Sequence, residues 1–97
     1  MVAEFVGEAI SWRGPAPFVF VPVPPEMSVD IKTISNRVTY GWGVIPVTVT
    51  IGETVFTTSL FPRGEIYLVP VKVAVQRAEG VEVGDMVHVR FEIEIGC

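Results

Sequence analysis

The sequence predicts a mainly β fold, a small β-barrel of about six to seven strands with one or two short helices. Three observations carry that expectation. The stretch Val81 to Ile95, VEVGDMVHVRFEIEI, is apolar at every odd position from Val87 onward, with His88, Arg90, Glu92 and Glu94 between. A period of two is what a half-buried strand produces, because successive side chains point to opposite faces of a sheet. Hydrophobic residues make up 49% of the chain against 19% charged, which sets it apart from disordered sequences. Much of that apolar content is Val, backed by Ile, Thr and Phe, residues that fit a pleated surface. Finally, eight Pro and nine Gly in 97 residues supply many turns.

The length suits a single domain over 1–97, which buries roughly two-thirds of its unfolded surface and has material for one core. Eleven acids against seven bases give a net charge of −4. That balance disfavours nucleic acid as a partner, since phosphate binding draws on a basic surplus. The one cysteine, Cys97, allows no internal disulfide, as suits a reducing cytoplasm. The segment MVAEFVGEAI has no basic n-region, and Pro22, Pro24 and Pro25 interrupt the most hydrophobic stretch, so no membrane span is expected.

Val2 to Trp12 reads as the first strand. Glu4 and Glu8 lie on one face and Phe5 leads the other inward; Ala3, Gly7 and Ala9 beside it suggest close approach of a neighbouring strand. The alternation blurs near Ile10, where a bulge or a change of face is expected. Arg13 to Pro17 is a loop. Phe18 to Val23 is a nearly all-apolar strand, expected to be buried on both faces or at a barrel closure, and simplest to pair with the first. Met27, Ile31 and Ile34 recur at helical spacing within Pro25 to Asn36. Arg37 to Tyr40 is a candidate short strand, and Tyr40 to Gly43 a glycine-rich corner.

Val44 to Ile51 alternates strictly, although Pro46 favours an edge or a bulge. Gly52-Glu53 reads as a glycine-first hairpin turn leading to the partner strand Thr54 to Phe61. Pro62-Arg63-Gly64 then makes a turn, and Glu65 to Val69 a short strand. A second helix is expected over Pro70 to Glu79, with Pro70 near its first turn and Gly80 just past its end. Gly84-Asp85 turns the chain into the last strand, which reads as the closing strand with an edge-protecting charged face.

The residues offer no catalytic set and no metal or cofactor motif. His88 is the only histidine and shares a strand face with Arg90 and Glu92, so it has no ligand spacing for zinc. Ser59 lacks a nucleophile elbow, and Gly41-x-Gly43 lacks the rest of a phosphate loop. Glu92 and Glu94 are near each other, but alternating strand carboxylates keep sheets soluble. Two groupings remain as a candidate binding surface. One is aromatic and close to loops: Trp12, Tyr40, Trp42 and Phe61. The other is basic, namely Arg63, Lys72 and Arg77 with Tyr67 between; folded onto one side, these would attract an anion, and Arg13 completes the candidate surface.

The ordered set of segments also resembles a known family. Phe5 and Ala9 come first, then Trp12 to Pro17 leading into FVFVPVP; VTVTIGETVFTTSLFPRGEIYLVPVK follows, then Val75, Arg77, Ala78, Gly80 and Val83-Gly84-Asp85-Met86-Val87. Taken together they resemble the domain-of-unknown-function-1905 family of small bacterial and archaeal proteins. The resemblance implies a double-split β-barrel, similar in architecture to AbrB-type regulators, with a helix ahead of the last strand. It brings no catalytic residues, and some relatives carry a second, YdeI/OmpD-associated domain. Departures are the short Gly64-Glu65 turn and the extra prolines at 22 to 25.

The expectation is a cytoplasmic, non-enzymatic binding or interaction module, monomer or homodimer, for a small anionic ligand or a protein partner. An AbrB-like DNA-binding regulator is the alternative, and an enzyme needing a partner domain a third.

Overall fold

Residues 2–12, 18–38 and 45–93 are described in the computed structural model, the side chains of 12, 18 and 34–38 excepted. Arg13, the Tyr40 to Gly43 corner with Trp42, Ile95 and Cys97 therefore lie outside the described residues. The described chain forms β1 (Val2–Glu8), β2 (Ile10–Trp12), β3 (Phe18–Pro22), α1 (Pro25–Val38), β4 (Ile45–Ile51), β5 (Thr54–Arg63), β6 (Ile66–Val71), α2 (Val73–Glu79) and β7 (Met86–Glu92). The strands are antiparallel, in the order β1-β7-β4-β5-β6-β3-β2.

The two ends of that order belong to one stretch of chain. Only Ala9 separates β1 from β2, so the N-terminal strand pairs with β7 through its first part and with β3 through its second. The sheet is thus curled back on itself like a barrel. Ala9 is fully buried at the corner; its N–H donates to the Asp85 carbonyl at 2.8 Å, and its own carbonyl accepts from the Gly84 N–H at 2.8 Å. Gly7 lies where β1 leans on β3. A Cβ there would stand 2.8 Å from Val21 Cγ1 and 3.0 Å from the Pro22 carbonyl oxygen. The small residues of the first strand are what closure demands.

Inside, the alternation expected for β4 and β7 holds. Ile45, Val47, Val49 and Ile51 face Val87, Val89, Phe91 and Ile93 across one core, together with Phe5, Val19, Val21, Leu60, Val69 and Val71. Phe5 and Phe91 meet edge to face with ring centroids 6.1 Å apart, a geometry worth about 0.5–1.5 kcal/mol beyond burial. β3 is not buried on both faces: Val19 and Val21 are buried while Phe20 and Pro22 are half-exposed.

Several boundaries differ from the sequence reading. β7 is neither an edge nor a closing strand, since it lies between β1 and β4. Period two reveals which face is wet, not which strands lie alongside. β4 is interior as well, despite Pro46. The turn before β6 is Gly64-Glu65, with Pro62 and Arg63 still in β5, and β6 runs on to Val71, so that α2 starts at Val73 and Pro70 is a strand residue.

One rule accounts for the four strand prolines. In a two-residue hairpin the flanking pair exchanges hydrogen bonds, and alternate residues point theirs the other way. The pairs Ile51↔Thr54 and Arg63↔Ile66 therefore direct the missing donors of Pro46 and Pro62 away from their hairpin partners. The positions opposite Pro46 on β7 and opposite Pro62 on the β4 side, 94 and 43, lie outside the described residues. The Val23 N–H to Tyr67 O bond sets the same phase between β3 and β6. Pro22 and Pro70 accordingly point toward β2 and β5, beyond the last paired residues, Phe20 and Leu68. At Pro22 and Pro70 proline survives where a ladder has already ended.

α1 is longer than its apolar spacing suggests, reaching Val38 through the Arg37 segment read as a strand. Ile31 enters the core and Met27 packs against it. Ser28 is a buried polar residue, 1% exposed. Its Oγ accepts from the Tyr67 N–H at 3.2 Å and donates to the Val23 carbonyl at 3.3 Å, tying the first turn of α1 to β3 and β6. α2 is closed by Gly80, left-handed at φ 64°, and Gln76 Nε2 donates back to the Val71 carbonyl at 2.8 Å.

Candidate functional site

The outward side chains divide the sheet into two unlike halves. On β1 and β7 charged and apolar residues share the outer face: Glu4, Glu8, His88, Arg90 and Glu92 lie in register with the exposed Val2, Val6 and Met86. Glu4 lies 3.7 Å from both His88 Nε2 and Arg90 Nε. These exposed pairs are worth at most about 1 kcal/mol each. Next to them β4 presents Thr48 and Thr50, opposite Thr57 and Val55 of β5. This half is a solvated face.

β2, β3 and β6 carry no charged residue at all. With Val19, Val21, Val69 and Val71 committed to the core, the alternate positions face out. Pairing sets them in rows: Ile10 beside Phe20 and Pro70, then Pro22 beside Leu68 and Phe61, then Ile66 beside Arg63. Leu68 is only 4% exposed although it points away from the shared core; Phe61 stands out at 45%. The result is an apolar row on that side of the second half, half-buried for the most part and covered at Leu68.

The residues expected to bind fall into separate places. Trp12 ends β2 opposite Phe18. Val19 pairs with Val71, so the next position, Lys72, comes to the same end of the sheet as Trp12. Lys72 caps α2 in an extended conformation, and Arg77 is exposed in the last turn of that helix. Arg63 sits opposite Ile66 at the other end of β6. Six residues of strand, roughly 20 Å, separate Ile66 from Lys72. Arg63, Lys72 and Arg77 thus form no single patch, because β6 carries the chain across the sheet between them. Tyr67 is 6% exposed and belongs to the core. Arg13, Tyr40, Trp42 and the Trp12 side chain lie outside what is described.

At the end of the sheet that holds α2, a groove of about 300 Å³ runs between Gly52, Glu79, Val81 and His88, with Asp85 and Met86 on its wall. Its carboxylates are held by the fold: Glu79 Oε2 accepts from Thr54 Oγ1 at 2.6 Å, and Asp85 Oδ2 from the Glu82 N–H at 2.9 Å. The second contact is a local bond within the turn that leads into β7. Among the described residues no three His, Cys, Asp or Glu side chains are grouped to hold a metal ion, and no helix is long and apolar enough to cross a membrane. The row and the groove were both missed in the sequence. The apolar even positions of FVFVP and IYLVPV were the available signal for the row; nothing local announces the groove, because Thr54 and Glu79 meet only in space.

Fold and surface together define a small antiparallel barrel-like protein with two short helices. More narrowly, the chain belongs to the family described as domain of unknown function (DUF1905), whose model matches residues 5–91. No curated protein matches the chain.

Proposed function

We propose that the protein is a non-enzymatic binding or interaction module working in the cytoplasm, and that its contact surface is the outer side of β2, β3 and β6 together with the sheet end where Trp12 and Lys72 lie. The observation that carries this is that β2, β3 and β6 bear no charged residue, so their outer side is an uncharged apolar row, of which Phe61 on the neighbouring β5 is the most exposed member. Apolar surface of this kind, bordered by polar groups, is the common mark of a contact site. The described polar side chains that chemistry would call on have structural employment: Ser28 ties down α1, Glu79 holds Thr54, and His88 faces Glu4. A lone terminal cysteine agrees with a reducing compartment.

The test is a screen of metabolites, peptides and duplex DNA, followed by amide chemical shifts and by the fluorescence of Trp12 and Trp42. Ligand-dependent shifts in β2, β3 and β6 are expected. If a broad screen left those amides unmoved, the proposal would be wrong. Salt-sensitive retention of DNA at low salt would replace it by the AbrB-type regulator, against which the charge of −4 counts.

A further inference from the structure

Closure at Ala9 leaves β1 with a strand neighbour on one side only. The Ala9 N–H donates to Asp85, so the alternate residues Ala3, Phe5 and Gly7 turn their backbone groups toward β7. Val2, Glu4 and Val6 therefore turn theirs the other way. In β2 that same side is filled, since Ile10 and Trp12 meet Phe20 and Phe18 of β3. β3 does not follow β1 further: it ends at Pro22, where Gly7 leans on it, and the chain turns through Pro24 into α1, which packs against β6 and β4. Among the described residues no strand lies beside this edge, and nothing bonds to the outward N–H and C=O groups of Val2, Glu4 and Val6. Val2 and Val6 are exposed, at 52% and 55%.

We infer that this edge takes an extended segment of a partner protein as an added strand, antiparallel to β1 and carrying a basic residue at each end. The site lies apart from the outer side of β2, β3 and β6 and does not depend on it. Val2 to Val6 is roughly 17 Å of strand, and an added strand meets all its outward donors and acceptors at once. Charge chooses the occupant. Glu92 stands beside Val2, and Glu8 follows Val6 on the same outer face; both are exposed, and neither has an ion pair among the described residues. Acid thus marks both ends of the edge. Glu4 is already engaged by His88 and Arg90, so an uncharged residue suits the position opposite it. A second copy fits poorly. Two-fold pairing that uses Val2, Glu4 and Val6 of both copies sets Glu4 opposite Glu4, and like charges directly opposite destabilise a strand pair.

The probe is a fluorescein-labelled, end-capped peptide Lys-Val-Thr-Val-Thr-Val-Lys; the control replaces both Lys by Glu. Anisotropy is titrated with the intact chain, and hydrogen exchange is read amide by amide by NMR. In the free chain the Glu4 and Val6 amides should exchange fast and those of Phe5 and Gly7 slowly. The Lys-ended peptide should bind, slow Glu4 and Val6 about tenfold or more, and outcompete the Glu-ended one. N-methylation of both threonines, whose N–H groups face β1, should abolish binding, whereas N-methylation of the central valine should spare it. Joint Glu8→Lys and Glu92→Lys exchange should reverse the preference between the peptides; if that variant fails to fold by circular dichroism, the methylated peptides make the test on the unaltered chain. Slow Glu4 and Val6 amides in the free chain would show a covered edge and overturn the inference. So would silence up to about 1 mM protein, equal loss from either methylation, or protection confined to another surface. Protection of Glu4 and Val6 that grows with protein concentration alone would give the edge to a second copy and sink the partner segment.

Discussion

The dipeptide Gly-Glu occurs at two hairpin tips, and the two tips differ in everything except their own geometry. Gly52-Glu53 joins β4 to β5 and Gly64-Glu65 joins β5 to β6, closed by Ile51↔Thr54 and Arg63↔Ile66. Both glycines have φ 59°, and no described non-glycine residue has positive φ. Each is therefore the glycine-first turn that the dipeptide specifies. Around Gly64 a Cβ would meet nothing within 4 Å, whereas at Gly52 it would run into the Glu79 carboxylate of α2. The first tip is clasped by a helix and the second stands in solvent. Local sequence makes the turn; the tertiary neighbour decides what it can tolerate.

That difference can be measured. Gly52→Ala should cost the most, about 2–4 kcal/mol, because a left-handed alanine costs roughly 1–2 kcal/mol and Glu79 must also swing off Thr54. In urea unfolding this appears as a lower midpoint at unchanged slope. Gly64→Ala should cost only the conformational part, about 1–2 kcal/mol, or a melting temperature lower by several degrees. In a Glu79→Ala background, the cost of Gly52→Ala should fall to that of Gly64→Ala; an unchanged gap would show that Glu79 is not the cause. Thr54→Val should be the mildest, about 1 kcal/mol, since it removes one partly buried bond to a carboxylate and keeps the shape.

The same division between local and distant causes explains what could be read in the chain. The inward rows of β4 and β7, the small residues at Gly7 and Ala9, the break near Ile10, and the stops at Gly80 and Gly84 were all legible. Each depends on a side chain's own period or a backbone angle. Pro46 misled because it was taken to favour an edge or a bulge, and an interior strand can carry proline where its missing donor points away from the hairpin partner. Pro70 misled because a helix start and a strand end both accept proline. The separation of Arg63 from Lys72 and Arg77 was not legible, for sequence distance across a strand gives no hint of which end of the sheet each reaches. Ser28 was passed over, as a serine in a first helical turn carries no sign that Tyr67 will need its oxygen.

By itself the sequence determined a mainly β fold, which faces of β4 and β7 are buried, and where the glycine turns fall, because these follow from periods of two and from glycine's freedom at positive φ. Only the tertiary structure decided that the first strand closes the curl at Ala9, that the charged last strand is interior, and that the outer side of β2, β3 and β6 is one apolar row ending in Arg63 and Lys72. Those are facts about neighbours across the sheet, and neighbours are set by the packing of the whole chain.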